Sequence, residues 1–135
     1  MRFLLIDDDD VTNYINTRII KNVCADAQIT LALNGFEAIK ALELNVIDEN
    51  KPSFDIVLVD ISMPEMDGWA FIDEVSSAKY QQQQKAFYVM LTSSVFDDDV
   101  AKAKTKPLIK QFYSKPLDPM RVREIIDAAM GTSAN

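Results

Sequence analysis

A chain of 135 residues, 48% hydrophobic and 26% charged, has the size and composition of one soluble domain with a single good core. Its net charge of −7 argues against direct binding to nucleic acid, whose phosphates call for a basic patch, and no apolar run approaches the roughly 20 residues of a membrane span. The absence of histidine excludes a histidine phosphocarrier, a histidine general base and any His-ligated metal, and the single cysteine, Cys24, excludes an internal disulfide.

The first apolar run, Phe3 to Ile6, is too short for a helix and suits a strand buried on both faces; it ends in four acids, Asp7 to Asp10. Asp10 is placed to cap a helix in which Val11, Tyr14, Ile15, Ile19 and Val23 keep helical spacing and mark the apolar face. Cys24, in the same apolar-periodic segment, reads as a small core residue rather than a reactive thiol. With Asp9 left to solvent, Asp7 and Asp8, nearest the strand end, are the candidates for a site. Gln28 to Leu33 reads as a weaker, partly polar strand closed by the turn signal Asn34-Gly35. The helix after it carries Phe36, Ile39, Leu42, Val46 and Ile47 on one face and fades into a polar loop from Asp48 to Ser53.

Ile56 to Val59 is an unbroken aliphatic run that stops on Asp60 and is followed at once by a loop punctuated by Pro64 and Gly68. Asp67-Gly68 opens a helix that turns Trp69, Ile72 and Val75 to the core, and the polar tract Gln81 to Gln84 reads as a surface loop. Phe87 to Leu91 is a fourth strand, ending in the hydroxyl run Thr92-Ser93-Ser94. A short helix begins in Asp97 to Asp99, acids that suit a helix N-terminus, and Pro107 ends it. Ile109 to Tyr113 is a fifth strand leading into Ser114-Lys115-Pro116. In the last helix Asp118 is the cap, Pro119 the first helical residue, and Val122, Ile125, Ile126 and Ala129 the buried stripe. Gly131 stops it, and residues 132–135 are expected to form a disordered tail.

This alternation predicts one (βα)5 domain over residues 1–131, an α/β fold whose doubly wound, five-stranded parallel sheet is covered by helices on both faces. In such sheets ligands gather outside the carboxyl ends of the strands. Four of the five strands end there in a polar group: Asp7/Asp8, Asp60, Thr92 and Lys115. Three carboxylates brought together repel, and such clusters persist by protonating a member or by binding a cation. Oxygen ligands favour Mg²⁺ or Ca²⁺, and Mg²⁺ is the better fit, since it is held by one or two carboxylates, keeps waters and completes its shell with phosphate oxygens. A lysine ammonium and a threonine hydroxyl, both suited to phosphoryl oxygens, make this a candidate phosphoryl site. A carboxylate can be the nucleophile, forming an aspartyl-phosphate, and Asp60, on the central-looking strand, is the candidate.

The ordered set Leu5-Ile6-Asp7-Asp8-Asp9, Asn34-Gly35-Phe36-Glu37-Ala38, Asp60-Ile61-Ser62-Met63-Pro64 with Met66-Asp67-Gly68, Leu91-Thr92-Ser93 and Lys115-Pro116 resembles a response-regulator receiver domain of two-component signalling, over essentially the whole chain. The resemblance implies a flavodoxin-like strand order 2-1-3-4-5. It implies that Asp60 accepts a phosphoryl group, in a phosphorelay, from a sensor histidine kinase or a His-containing phosphotransfer protein. Asp7, Asp8, Asp60 and the backbone carbonyl of Ser62 would then bind Mg²⁺, while Thr92 and Lys115 would contact the phosphoryl group. Phe112 falls where receivers carry a switch residue that is often Tyr; lacking the hydroxyl, it can switch by rotamer alone. Tyr113, next to it, is expected on the opposite face, and Ser93 stands where Ala is frequent. Thr92 and the loop from Ser93 to Asp97 are the expected first movers, and the outer face of the fourth helix with the fifth strand and last helix is the expected partner surface. Such a stand-alone receiver is expected in the cytoplasm as a signalling domain rather than an enzyme, though with self-phosphorylation and autodephosphorylation activity. It would act through a protein target, with no nucleic-acid or membrane partner, and a homodimer is one outcome of phosphorylation.

Two rivals are distinguishable. Asp8-Asp9-Asp10-Val11-Thr12 fits the D-x-D-x-T pattern of haloacid-dehalogenase-like Mg²⁺ phosphatases, which would make Asp8 the nucleophile and Asp97-Asp98 a late acidic pair; that reading leaves Asp60 without a role and lacks a cap domain. The other rival is a receiver-like interaction module that is never phosphorylated, against which stands the intact set of acids with Thr92 and Lys115.

Overall fold

Strands and helices alternate along the chain as β1 (Arg2–Ile6), α1 (Asp10–Val23), β2 (Gln28–Ala32), α2 (Gly35–Leu44), β3 (Ile56–Asp60), α3 (Gly68–Val75), β4 (Phe87–Thr92), α4 (Asp97–Lys104), β5 (Ile109–Ser114) and α5 (Pro119–Ala129). The computed structural model describes residues 1–63, 65–93 and 97–131. Pro64 of the loop motif, Ser94 of the hydroxyl run, most of the Ser93 to Asp97 loop and the tail 132–135 lie outside the described residues.

All five strands are parallel, as the alternation predicts, in the order β2-β1-β3-β4-β5 that the resemblance implies, so the chain winds outward from β1 in both directions. The unbroken apolar runs exist because each central strand is covered on both faces. Leu4, Ile6, Val57, Val59, Tyr88 and Met90 face a core that includes Leu42 of α2, Ile72 of α3 and Ala103 of α4. Phe3, Leu5, Ile56, Leu58, Val89 and Leu91 face the other, with Ile20 of α1 and Val122 and Ile125 of α5. Burial of each large side chain contributes about 1.5–3 kcal/mol, and α3 and α5 present the stripes expected of them. Cys24 is half-buried against the α1–α5 core. No helix among the described residues is long and apolar enough to cross a membrane.

Four expectations need correction. The cap of α1 is Asp9, not Asp10: its carboxylate accepts from Val11 N at 3.0 Å and from Thr12 Oγ1 at 2.8 Å, so it is not simply solvated. The apolar face of α1 is also rotated. Val11, Tyr14 and Ile15 are 64%, 60% and 47% exposed, and the residues turned inward are Asn13, Asn16 and Ile20, flanked by half-buried Ile19 and Val23. Hydrogen bonding makes a buried asparagine tolerable there: Asn13 Nδ2 donates to the Asp7 carbonyl at 2.9 Å. In α2, likewise, Ala38 and Leu42 are buried while Phe36 is exposed, and Val46 and Ile47 lie exposed beyond the helix end.

The glutamine tract is not a plain surface loop. It follows one short 3₁₀ turn, Ala78–Tyr80, and runs into a second, Gln83–Lys85. Gln83 is buried: its Oε1 accepts from Ser53 N at 2.9 Å, its Nε2 donates to Ser53 Oγ at 3.0 Å, and its carbonyl accepts from Tyr88 OH at 2.9 Å. Ser53 Oγ in turn donates to the Leu42 carbonyl at 2.6 Å, which ties the end of α2 to the entry of β3 and β4.

Candidate functional site

The register that pairs Ile6 with Val59 sets the ends of β1 and β3 side by side, which brings Asp7 beside Asp60. Both are buried; Asp8, the next residue along, is exposed. One carboxylate oxygen from each of the three lies within 4.8 Å of the others. From the end of β5, Lys115 reaches back across the edge of the sheet, its Nζ 2.6 Å from Asp7 Oδ2 and 3.2 Å from Asp60 Oδ1.

Burial and the adjacent Asp7 push the Asp60 carboxyl above the usual carboxylate range, against the pull of Lys115. Burial alone would lower the Lys115 pKa, but the hydrogen bond to Asp7 and the charges of Asp60 and Asp7 outweigh it, so the lysine is held in its charged form. One ammonium facing three carboxylates leaves the cluster net negative. An all-oxygen donor set with one solvent-facing member suits a hard divalent cation that keeps several of its waters.

The loop after β3 is pressed against the site. Gly68 N donates to the Ile61 carbonyl at 2.9 Å, and a Cβ at Gly68 would stand 2.3 Å from the Asp60 carbonyl oxygen, so only glycine permits this approach. Asp67 caps α3 by accepting from Ala70 N at 2.9 Å. Ser62, exposed, sits in this loop two residues beyond Asp60.

Residues 3–127 match the response regulator receiver domain. The chain belongs to that family. This receiver is 30% identical over 132 residues to the chemotaxis protein CheY of Listeria monocytogenes, with 96% of this chain and 98% of CheY covered. A two component response regulator from Cytophaga hutchinsonii, solved by crystallography, is 30% identical with a TM-score of 0.85 over 96% of both chains. A CheX–CheY complex of Borrelia burgdorferi with BeF3 and Mg²⁺, at 24% identity, shares the fold, with a TM-score of 0.77 over 96% of this chain and 89% of that one. The receiver is also 26% identical over 131 residues to hybrid signal transduction histidine kinase L of Dictyostelium discoideum, of which it spans 7%.

In this receiver the residues singled out from sequence fall into two groups. Asp7, Asp8, Asp60 and Lys115 are brought into one cluster. Thr92 is buried at the end of β4, next beyond the Asp60↔Leu91 pair, and its carbonyl accepts from Lys115 N at 2.6 Å. Phe112 stands further back on β5, paired with Met90, and packs on the α2–α4 face; Tyr113 packs on the opposite face, as alternation predicts, and its hydroxyl donates to Glu124 Oε2 at 3.1 Å. The D-x-D-x-T acids of the phosphatase reading are divided by the start of α1: Asp9 and Thr12 bond to each other in the cap, and Asp10 is exposed in the first turn. Sequence reasoning missed Asn13, whose only signal is an amide at a sheet-facing helical position, and it saw Gly68 as a helix opener without its contact to Asp60.

Proposed function

We propose that Asp60 accepts a phosphoryl group from a sensor histidine kinase or a His-containing phosphotransfer protein, and that the phosphorylated receiver changes which proteins it binds. The observation that carries this reading is the placement of Lys115 Nζ, 2.6 Å from Asp7 and 3.2 Å from Asp60, inside a cluster of three carboxylates. In the transfer an Asp60 carboxylate oxygen forms a bond to phosphorus as the bond from phosphorus to the donor imidazole nitrogen breaks, and the electron pair stays on that nitrogen. Lys115 exchanges its contact with Asp60 for a phosphoryl oxygen, and the Thr92 hydroxyl donates to another.

Asp7, Asp8, Asp60 and the Ser62 backbone carbonyl would hold Mg²⁺, which when bound neutralises charge on the transferring group. The donor chemistry of the cluster supports this, as does the presence of Mg²⁺ with BeF3 in the Borrelia CheX–CheY complex. A phosphoryl group adds charge and acceptor oxygens where Thr92 can respond. The β4–β5 register, which pairs Thr92 with Ser114 and Met90 with Phe112, gives that response a short route to Phe112 as the switch. The outer face of α4 with β5 and α5 is the surface on which a protein target, or a second phosphorylated copy, would read the change. Residues 1–131 act as one receiver unit, in the cytoplasm, with no nucleic-acid or membrane partner.

Intact mass after incubation with acetyl phosphate and Mg²⁺ tests the reading. The expected result is one added phosphoryl group, labile to hydroxylamine and absent from Asp60→Asn. An adduct that survives Asp60→Asn but is lost in Asp8→Asn would turn the assignment to the phosphatase. No adduct, together with no binding of beryllofluoride, would leave a receiver that works without phosphorylation.

A further inference from the structure

Asn13 occupies a position where a helix packed on a sheet ordinarily places an apolar side chain, and it is 1% exposed. Its Oδ1 has no partner among the described residues. A buried amide oxygen without a donor is unfavourable, and an apolar side chain of similar size would remove that cost, so what explains the residue is its other end. Nδ2 donates to the Asp7 carbonyl at 2.9 Å. Asn13 is itself held firmly in α1: its N–H donates to the Asp9 carbonyl at 3.0 Å and its carbonyl accepts from Thr17 Oγ1 at 2.7 Å.

The hydrogen bond completes a set around Asp7. Asp7 N donates to the Ala32 carbonyl of β2 at 3.0 Å, Oδ1 accepts from Asp9 N at 2.9 Å, and Oδ2 meets Lys115 at 2.6 Å. Asn13 supplies the partner for the one remaining polar atom, the carbonyl oxygen. The backbone of Asp7 is thereby pinned on one side by β2 and on the other by α1, which fixes the direction in which its side chain leaves the chain.

We propose that Asn13 is a positioning residue for the cation site: by holding the Asp7 carbonyl it sets the angle at which the Asp7 carboxylate meets a divalent cation. The inference rests on the reading of Asp7 as a metal ligand given above. Mg²⁺ demands near-ideal octahedral geometry, so it is sensitive to a ligand whose backbone is free to turn, and outer partners of metal ligands typically govern affinity about 10–100-fold.

The test is calorimetric titration of Mg²⁺ into the wild type, Asn13→Leu and Asn13→Ala, beside urea unfolding of each protein in EDTA. Both variants lose the donor, but leucine fills the space and alanine leaves a gap. Mg²⁺ affinity is expected to fall about tenfold in both, while metal-free stability separates them, with leucine at or above wild type and alanine below. Affinity within about twofold of wild type in both variants, or affinity lost only in the less stable one, would make Asn13 a packing residue and overturn the inference. A wild type that takes up no Mg²⁺ would instead overturn the metal reading of Asp7 on which the inference stands.

Discussion

Asp60 is held where its charge is least comfortable, between a second buried carboxylate and the apolar end of its own strand. Burial and Asp7 raise its pKa above the ordinary value of 3.8, and Lys115 offsets this only in part. The folded protein therefore binds the Asp60 proton more tightly than the unfolded chain does, and stability falls as pH rises from below 3.8 through the raised folded value. Lys115, raised above 10.5, stays charged in both states across that range and adds no slope to it. Asp60→Asn keeps the size of the side chain and removes the charge. Without Mg²⁺ it is expected to stabilise the fold by about 1–2 kcal/mol at pH 7, with the gain shrinking as pH falls toward 3.8. Urea unfolding at several pH values reads this directly; a gain independent of pH would mean that ionisation is not its cause.

The elements differ in how firmly their sequences dictate their faces, and α1 is the clearest case. Its apolar residues have helical spacing, yet the stripe turned to the sheet runs through Asn13, Asn16 and Ile20, and Ile15 points to solvent. Ile15→Lys is expected to change stability by less than about 0.5 kcal/mol, while Ile20→Ala costs about 2–4 kcal/mol; urea midpoints in the reverse order would restore the face marked by the spacing. The contrast with β3 and β4 shows what made the rest legible. A strand buried on both faces reads as an unbroken apolar run whatever its rotation, so its end is visible in sequence, and the groups at the ends of β1, β3 and β4, Asp7, Asp60 and Thr92, are visible with it. A helix with one buried face can be turned by a single hydrogen-bonded amide, and spacing alone does not report that. Gln83 and Gly68 escaped for the same reason. The first owes its burial to Ser53, 30 residues away, and the second its identity to the backbone of Asp60, contacts that no local pattern encodes.

At the scale of the molecule, parallel winding delivers the strand-end acids Asp7, Asp8 and Asp60 to one edge of the sheet, so part of the net charge of −7 is concentrated where, among the described residues, Lys115 is the cation paired with it. A cation bound there and absent from the unfolded chain stabilises the whole fold by mass action, about 2.7 kcal/mol at a concentration one hundred times its dissociation constant. Mg²⁺ is thus expected to raise the urea midpoint of the wild type. Asp8 separates a site from a general field effect, because it is exposed and belongs to the carboxylate cluster without belonging to the core. Asp8→Asn should leave metal-free stability unchanged or slightly higher, through relief of repulsion, and should lose most of the response to Mg²⁺. NaCl at matched ionic strength controls for screening, which acts on all exposed acids alike. If wild type and Asp8→Asn respond equally to Mg²⁺, the stabilisation comes from screening of the acidic surface, and the edge of the sheet holds no cation of its own.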